Sequence, residues 1–281
     1  MNGILNVKKC KDWTSFDVVA KLRKILGIRH IGHLGTLDPM ATGVLPITIG
    51  SATKLFDLFL NKTKKYVAEF EFGYTTDSLD ATGVITNSSQ NIPTIEEIEA
   101  VLPLFIGEIE QIPPQFSAKK INGKKAYDIA RAGGKLELKS KKILIKNINL
   151  ISYKNKVLKL EIECGAGTYI RALARDIASS LHTFATMTSL ERTEVGVFNI
   201  KEAIDITKLT KEEITSKILP TDFVFKNLKI INAVETVNKL LNGQTLHSKL
   251  NVGDYRLYKD NKFVAIASVK ANKIKMRKYF G

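Results

Sequence analysis

Cysteine is nearly missing from this chain of 281 residues, which holds only Cys10 and Cys164. Two thiols cannot build a disulfide-rich secreted scaffold or a cysteine-based zinc cluster. Their scarcity suits a reducing cytosol, so cytoplasmic residence is the expectation. Long apolar runs are also missing. No stretch reaches the roughly 18 apolar residues that a spanning helix needs, and MNGILNVKKCKDW lacks the apolar centre of a signal peptide. Nothing here is expected to enter a membrane. No internal repeat or low-complexity segment occurs. Acidic residues are outnumbered, 28 against 43 lysines and arginines, leaving a net charge of +15 and a pI near 9.6. With 44 % hydrophobic and 25 % charged residues, the composition is that of an ordinary globular protein and excludes disorder. The length fits one large domain, or a large and a small one.

An excess of positive charge raises the local concentration of polyanions. The charge is also segregated. Residues 115–146 hold ten basic side chains against Asp128 and Glu137. Lys270, Lys273, Lys275, Arg277 and Lys278 crowd the C-terminus, while Glu96, Glu97, Glu99, Glu108 and Glu110 gather in 94–110. A nucleic-acid face and a merely solvated lysine face both fit this pattern. In the first reading the acidic 94–110 helix faces away from the partner.

Residues 14–26 space Phe16, Val19, Leu22, Ile25 and Leu26 at helical intervals, with Thr14 or Ser15 as cap and Gly27 as stop. Residues 66–72 alternate as a strand. Thr94 and Glu97 have capping-box spacing and open a helix over 94–105. Strands are predicted at 143–151 and 156–163 around a Lys154-Asn155 turn, and a helix at 168–181 with Thr168 at its start. Strands and helices do not alternate regularly, which points to α+β architecture. After Pro220 the texture changes. AVETVNKLL, Asn242-Gly243 and a hairpin turning at Asp260-Asn261 describe a small β-rich appendage with little core of its own.

Residues 33–54, HLGTLDPMATGVLPITIGSATK, carry the densest backbone punctuation. Gly35, Gly43 and Gly50 allow close approach or positive φ, and Pro39 and Pro46 fix φ. The single carboxylate, Asp38, precedes Pro39 and is therefore held extended. Two readings compete. The carboxylate is either a fixed nucleophile or base, or the acceptor of an Asx-turn, which is commoner for an isolated Asp-Pro.

Resemblance decides between them. HLGTLDPMATGVLP resembles the signature of the TruB-type pseudouridine synthases, which convert one uridine in the T-loop of tRNA to pseudouridine. The pattern G-T-L-D-P-x-A-x-G-V-L-P is matched from Gly35 to Pro46. KKYVAEFEFG (64–73), TDSLDATG (76–83), QIPPQFSAKKINGKKAYDIARAG (111–133), GTYIRALARDIA (167–178) and LERTEVGVF (190–198) are similar to further family blocks in the same order. Together they cover about residues 3–222. Cys10 replaces a usual proline, Asp12 a glycine, and Glu191 a basic residue; Gly165 and Ala166 alter the block before GTYIR.

The resemblance implies a pseudouridine-synthase fold, with a mixed, mainly antiparallel central sheet flanked by helices and loops. It implies a catalytic domain over 1–224, with 115–146 as a basic RNA clamp. Residues 225–281 stand where the family has a small β-rich PUA-like RNA-binding segment. It assigns Asp38 the nucleophile role, with Arg171 pairing to keep it ionised, since an opposite charge lowers a carboxylate pKa. Tyr66 would be catalytic as well as substrate-binding, stacking on the flipped uracil and helping its proton exchange, and His33 would fill the vacated space. Tyr169 and Leu190 would line the base. Asp80 would bond a loop nucleotide or Tyr66, and Lys9 would meet phosphate. Lys119, Lys120, Lys124 and Lys125 would touch the RNA backbone. No metal or other cofactor and no obligate protein partner are implied, and the enzyme would act as a monomer on the tRNA T-arm. A guide-dependent ribosomal-RNA synthase and a non-catalytic tRNA-binding chaperone are the alternatives.

Overall fold

The computed structural model describes residues 1–59, 61–116, 120, 121, 124, 125 and 138–281, with only the backbone for 120, 121, 124 and 125. Among the described residues, thirteen strands precede the C-terminal segment. They are β1 (Gly3–Lys9), β2 (Ile31–His33), β3 (Thr42–Ile49), β4 (Lys64–Phe72), β5 (Tyr74–Thr76), β6 (Ile85–Ser88), β7 (Gly107–Gln111), β8 (Lys120–Ile121), β9 (Lys124–Lys125), β10 (Lys141–Lys154), β11 (Val157–Cys164), β12 (Ala185–Val195) and β13 (Phe198–Asn199). The main sheet runs β1-β3-β12-β4-β11-β10-β7, with β2 on β3 and β13 on β12. Every pairing in it is antiparallel except β3 with β12. This is the mixed, mainly antiparallel sheet expected.

Alternation builds β4. Tyr66, Ala68, Phe70 and Phe72 point into the core while Val67, Glu69 and Glu71 stay half-exposed. Helices Ser15–Leu26, Ile95–Val101 and Ile170–Ser180 pack on the core that the sheet covers. No helix among the described residues is long and apolar enough to cross a membrane.

Four details differ from the sequence expectation. Phe16 is 59 % exposed, and Val18 is buried in its place. The hydroxyl of Ser15 bonds both the N–H and the carbonyl of Leu37, so the helix turns Ser15, Val18 and Val19 inward. Phe16 instead lies under the Arg23 guanidinium. The β10–β11 turn is Asn155-Lys156, not Lys154-Asn155, because a tight hairpin needs two left-handed residues and those have φ +50° and +66°. Thr168 does not cap its helix; Tyr169 occupies that position without a side-chain bond. The acidic 94–110 stretch is not one helix. It stops at Val101, tightens over Leu102–Phe105 around Pro103, and continues as β7, which carries Glu108 and Glu110.

Beyond Pro220, a second sheet sets Ile230–Ile231, Gly253–Lys259, Lys262–Lys270, Lys273–Tyr279 and Leu246–His247 side by side. It holds a cluster of its own around Val237, Leu240, Tyr255 and Leu257. A second cluster is shared: Val224, Ile266 and Phe280 pack with Leu34, Val44 and Phe59 of the larger part. Asp222 fastens the junction by accepting from Arg256 at 2.8 Å and from Tyr258. Two of the five C-terminal cations are already paired, Arg277 with Asp254 and Lys278 with Asp57.

Gly43 sets the main sheet's one parallel junction. A Cβ there would lie 2.2 Å from the Arg192 carbonyl oxygen, and its φ of +104° disfavours any side chain. Gly43→Ala should destabilise the protein by at least about 2 kcal/mol, within the range of strained-backbone substitutions. Urea denaturation that leaves the midpoint unchanged would refute this.

Candidate active site

Asp38 lies on the arc that joins β2 to β3, and the arc is pinned at several points. Ser15 holds Leu37. The carbonyl of Pro39 accepts from the backbone N–H of Asp12 and from Lys9 Nζ. The carbonyl of Asp38 itself accepts from the N–H of Ala41 at 3.0 Å. Asp12, which stands at a family glycine position, has φ +64°, a conformation aspartate tolerates better than most residues. A carboxylate on a backbone bonded at so many points has little freedom of direction.

Arg171 reaches Asp38 from the first turn of helix Ile170–Ser180. Its Nε is 3.0 Å from the Asp38 carboxylate, and its Nη1 is 3.3 Å from that of Asp80. Nη1 also donates to the Ser78 carbonyl, and Nη2 to that of Phe116. Only 7 % of the arginine side chain is exposed, against 36 % for Asp38. The guanidinium is thus a buried support, and the carboxylate is the part that faces outward. Burial pushes the Asp38 pKa above the ordinary carboxylate value. Arg171 and Lys9 oppose the shift and Asp80 adds to it. Arg171 acts on this group toward the ionised form, the direction the resemblance implies. Desolvation outweighs the ion pair.

Two other expectations change. Asp80 is buried, and its carboxylate accepts from the Ser78 and Thr82 hydroxyls and the Thr82 N–H as well as from Arg171. It holds Arg171 rather than a nucleotide or Tyr66. Lys9, expected at phosphate, is fully buried, and its ammonium donates to the carbonyls of Cys10, Trp13 and Pro39. Burial lowers its pKa to about 8. Its three donors close the loop behind Asp38.

The remaining residues fall into three groups. Tyr66 on β4 and Leu190 on β12 are each 7 % exposed and share the core cluster with Leu37 and Met40, two residues of the Asp38 arc. They form a floor rather than projecting. His33 ends β2; its buried Nδ1 has no partner, and burial together with Arg192 lowers its pKa, so the ring is neutral at pH 7. Tyr169 is held through its backbone, whose N–H and carbonyl both bond the side-chain amide of Gln111. Lys120, Lys124 and Lys125 lie in the β8–β9 hairpin, while Lys119 lies outside the described residues. Glu191 forms an exposed pair with Lys8. Two surface pockets, of about 270 and 310 Å³, are lined by other residues, and Asp38 borders neither.

In the sequence Ser15 is marked only as a candidate helix cap, and Gln111 and Arg192 only as members of family blocks. Arg192 is fully buried, and its guanidinium donates to the carbonyls of Gly35, Thr36 and Val44. The signal available was a basic residue between Glu191 and Thr193 in an otherwise apolar-alternating strand. A surface lysine or arginine gives the same signal.

Comparison with known proteins agrees with this arrangement. The model of the TruB family pseudouridylate synthase N-terminal domain matches residues 23–170. The tRNA pseudouridine synthase B of Clostridium kluyveri is 39 % identical over 292 residues, covering 100 % of both chains. That of Caldanaerobacter subterraneus is 40 % identical over 286 residues, covering 100 % of this chain and 99 % of its own. Among solved structures, a Cbf5-Nop10-Gar1 complex matches at a TM-score of 0.74 and 23 % identity, covering 99 % of this chain and 85 % of that one. An H/ACA RNP bound to a substrate RNA containing 2'-deoxyuridine matches at 0.73 and 22 %, with the same coverage. These structural likenesses establish the shared fold. With the signature arc, its aspartate and the sheet that carries them in place, the chain belongs to the TruB family of pseudouridine synthases.

Proposed function

We propose that this protein isomerises uridine 55 in the T-loop of tRNA to pseudouridine, with Asp38 as the group that meets the reacting nucleotide. The observation that carries the reading is the outward-facing Asp38 carboxylate 3.0 Å from a buried Arg171. The tRNA substrate is supported by the full-length similarity to synthases of that name.

In the reaction the N1–C1′ bond breaks, and its electron pair leaves on the uracil. The base turns, C5 bonds to C1′, the C5 proton departs and N1 takes a proton up. Atoms balance and nothing is oxidised. A carboxylate can attack an anomeric carbon or remove a proton, and both need Asp38 ionised. Arg171 favours that state against the burial that opposes it. A uridine within a folded loop must first be flipped outward. Tyr66 and Leu190 offer a flat aromatic and aliphatic floor to the extruded base, and Tyr169 borders it. The neutral His33 ring, at the end of β2, fills the space that the flipped nucleotide vacates.

The catalytic unit spans residues 1–224, and 225–281 form a PUA-like RNA-binding segment. Lys119, Lys120, Lys124 and Lys125 supply backbone contacts within the basic 115–146 clamp. The protein works in the cytoplasm as a monomer without an obligate protein partner. Its affinity for tRNA should fall steeply with salt, since each neutralised phosphate releases condensed counterions. A flat dependence between 50 and 200 mM salt would contradict the phosphate-contact reading.

Lys9 contributes stability and not RNA charge. Lys9→Met should cost about 2–4 kcal/mol of unfolding free energy and leave the salt slope of tRNA binding unchanged. A slope reduced by about one would restore Lys9 as a phosphate ligand. Because Lys9 titrates near 8 when folded and near 10.5 when unfolded, the folded state binds fewer protons between those values. Its contribution to stability therefore rises with pH across that window.

The direct test incubates the protein alone with an unmodified tRNA transcript and maps pseudouridine chemically. Product at uridine 55 supports the reading. Product only with a guide RNA and partner proteins, or tight binding without product, overturns it.

A further inference from the structure

The buried Arg192 is left without a task by the chemistry above. Its Nε donates to the Val44 carbonyl at 2.8 Å, its Nη1 to that of Thr36 at 3.3 Å, and its Nη2 to that of Gly35 at 3.1 Å. Gly35 and Thr36 precede Asp38, and Val44 follows it. One guanidinium therefore clamps both ends of the arc that carries Asp38. Arg192 also sits directly opposite Tyr66 in the antiparallel β4–β12 ladder, and directly opposite Gly43 in the parallel β3–β12 pair. Cross-strand partners share a face at 4.5–5.5 Å between Cβ atoms, so the ladder sets the Arg192 and Tyr66 side chains beside each other. No carboxylate pairs with this cation among the described residues.

The geometry points to Arg192 as a positioning residue that fixes Asp38 relative to Tyr66. A buried cation bonded to backbone carbonyls, with no opposite charge beside it among the described residues, is a poor choice for stability, because its desolvation is costly. A planar fork with five donors is a good choice for holding several acceptors at set separations. A lysine ammonium, as at Lys9, can hold carbonyls that converge on one point. It cannot span two arc ends in a plane. The inference rests on the proposed reaction, in which Asp38 and Tyr66 meet the same nucleotide.

Arg192→Lys tests it in the full-length protein with an unmodified tRNA transcript. The charge is retained, so tRNA Kd should stay within about threefold while single-turnover kcat falls by about 30-fold or more. A misplacement near 1 Å is enough for a loss of this order. A kcat within threefold of the starting protein overturns the inference. So does a fall in affinity as large as the fall in kcat, which would mark a general disruption. Should Arg192→Lys fail to fold, the unaltered protein decides by NMR. The Arg192 Nε–H, assigned through its own side-chain carbons, should exchange at least about 10³-fold slower than a free arginine. Unprotected exchange overturns the clamp. Asp38→Asn is run alongside. If it still makes product, the reaction reading itself fails, whereas its inactivity beside a fully active Arg192→Lys sinks only the role given to Arg192.

Discussion

Asp38→Asn abolishes pseudouridine formation, by at least about 10⁴-fold, and makes the folded protein more resistant to heat at pH 7. The first half follows from losing the only group placed to meet the nucleotide as a nucleophile or base, a class of loss that costs 10⁴ or more in other enzymes. Affinity for tRNA is retained, because backbone contacts supply most of it. The second half follows from the direction of the Asp38 pKa. Burial raises it, so the folded state resists ionising this group more than the unfolded chain does. Stability associated with the protonated form is lost as pH rises through the folded pKa. Asparagine removes the charge and keeps the shape. The gain should vanish near pH 3, where the aspartate is protonated in both states. The rate of the unaltered enzyme should correspondingly fall on the acid side at a pH above the ordinary aspartate value of about 3.9. Calorimetric scans at pH 7 and pH 3, with pseudouridine mapping, check each part. A variant melting lower at pH 7 would mean that the Arg171 pair outweighs burial after all.

Arg171→Met carries the second large effect, and it strikes both activity and stability. Asp80, 6 % exposed along its side chain, loses its one cationic partner among the described residues. Removing one member of a buried ion pair costs about 3–5 kcal/mol. The carbonyls of Ser78 and Phe116 lose their donor as well. Turnover should drop by at least about 10²–10³-fold, because Asp38 loses both the cation that favours its ionised form and the donor that aims it. The double variant Arg171→Met, Asp80→Asn separates the two effects. It should recover much of the lost stability, since no unpaired carboxylate remains, and none of the lost activity. Urea unfolding and single-turnover assays measure this. If the double variant is no more stable than the single one, the Asp80 charge is not what Arg171 compensates.

The elements most legible in the sequence were those whose causes are local. Thr94 with Glu97 and Thr14 with Asp17 form capping boxes, and Gly27 closes its helix at φ +71°. The alternation of 66–72 became β4. The Asp260-Asn261 turn has both residues left-handed, as a two-residue hairpin requires. For two residues that the sequence reading misplaced, a distant partner was responsible. Phe16 moved outward because Ser15 is drawn to Leu37, 22 residues away. Lys9 turned inward because the Pro39 carbonyl, 30 residues on, takes its ammonium.

The sequence by itself determined that this chain is an α+β member of the TruB family, because the family pattern from Gly35 to Pro46 is long and compositionally unusual. It also singled out Asp38 and Arg171, which lie 133 positions apart in the chain and which the fold brings to 3.0 Å. Only the tertiary structure decided what supports them. Asp80 binds Arg171, Lys9 and Ser15 hold the loop, and Arg192 clamps the arc's ends to the strand beside Tyr66. The physical reason is that a charged side chain looks alike in a sequence whether its partner is water, phosphate or a buried carbonyl. Folding removes water from some of these groups and not others, and that desolvation sets both the direction of the Asp38 pKa and the identity of the residues that hold it.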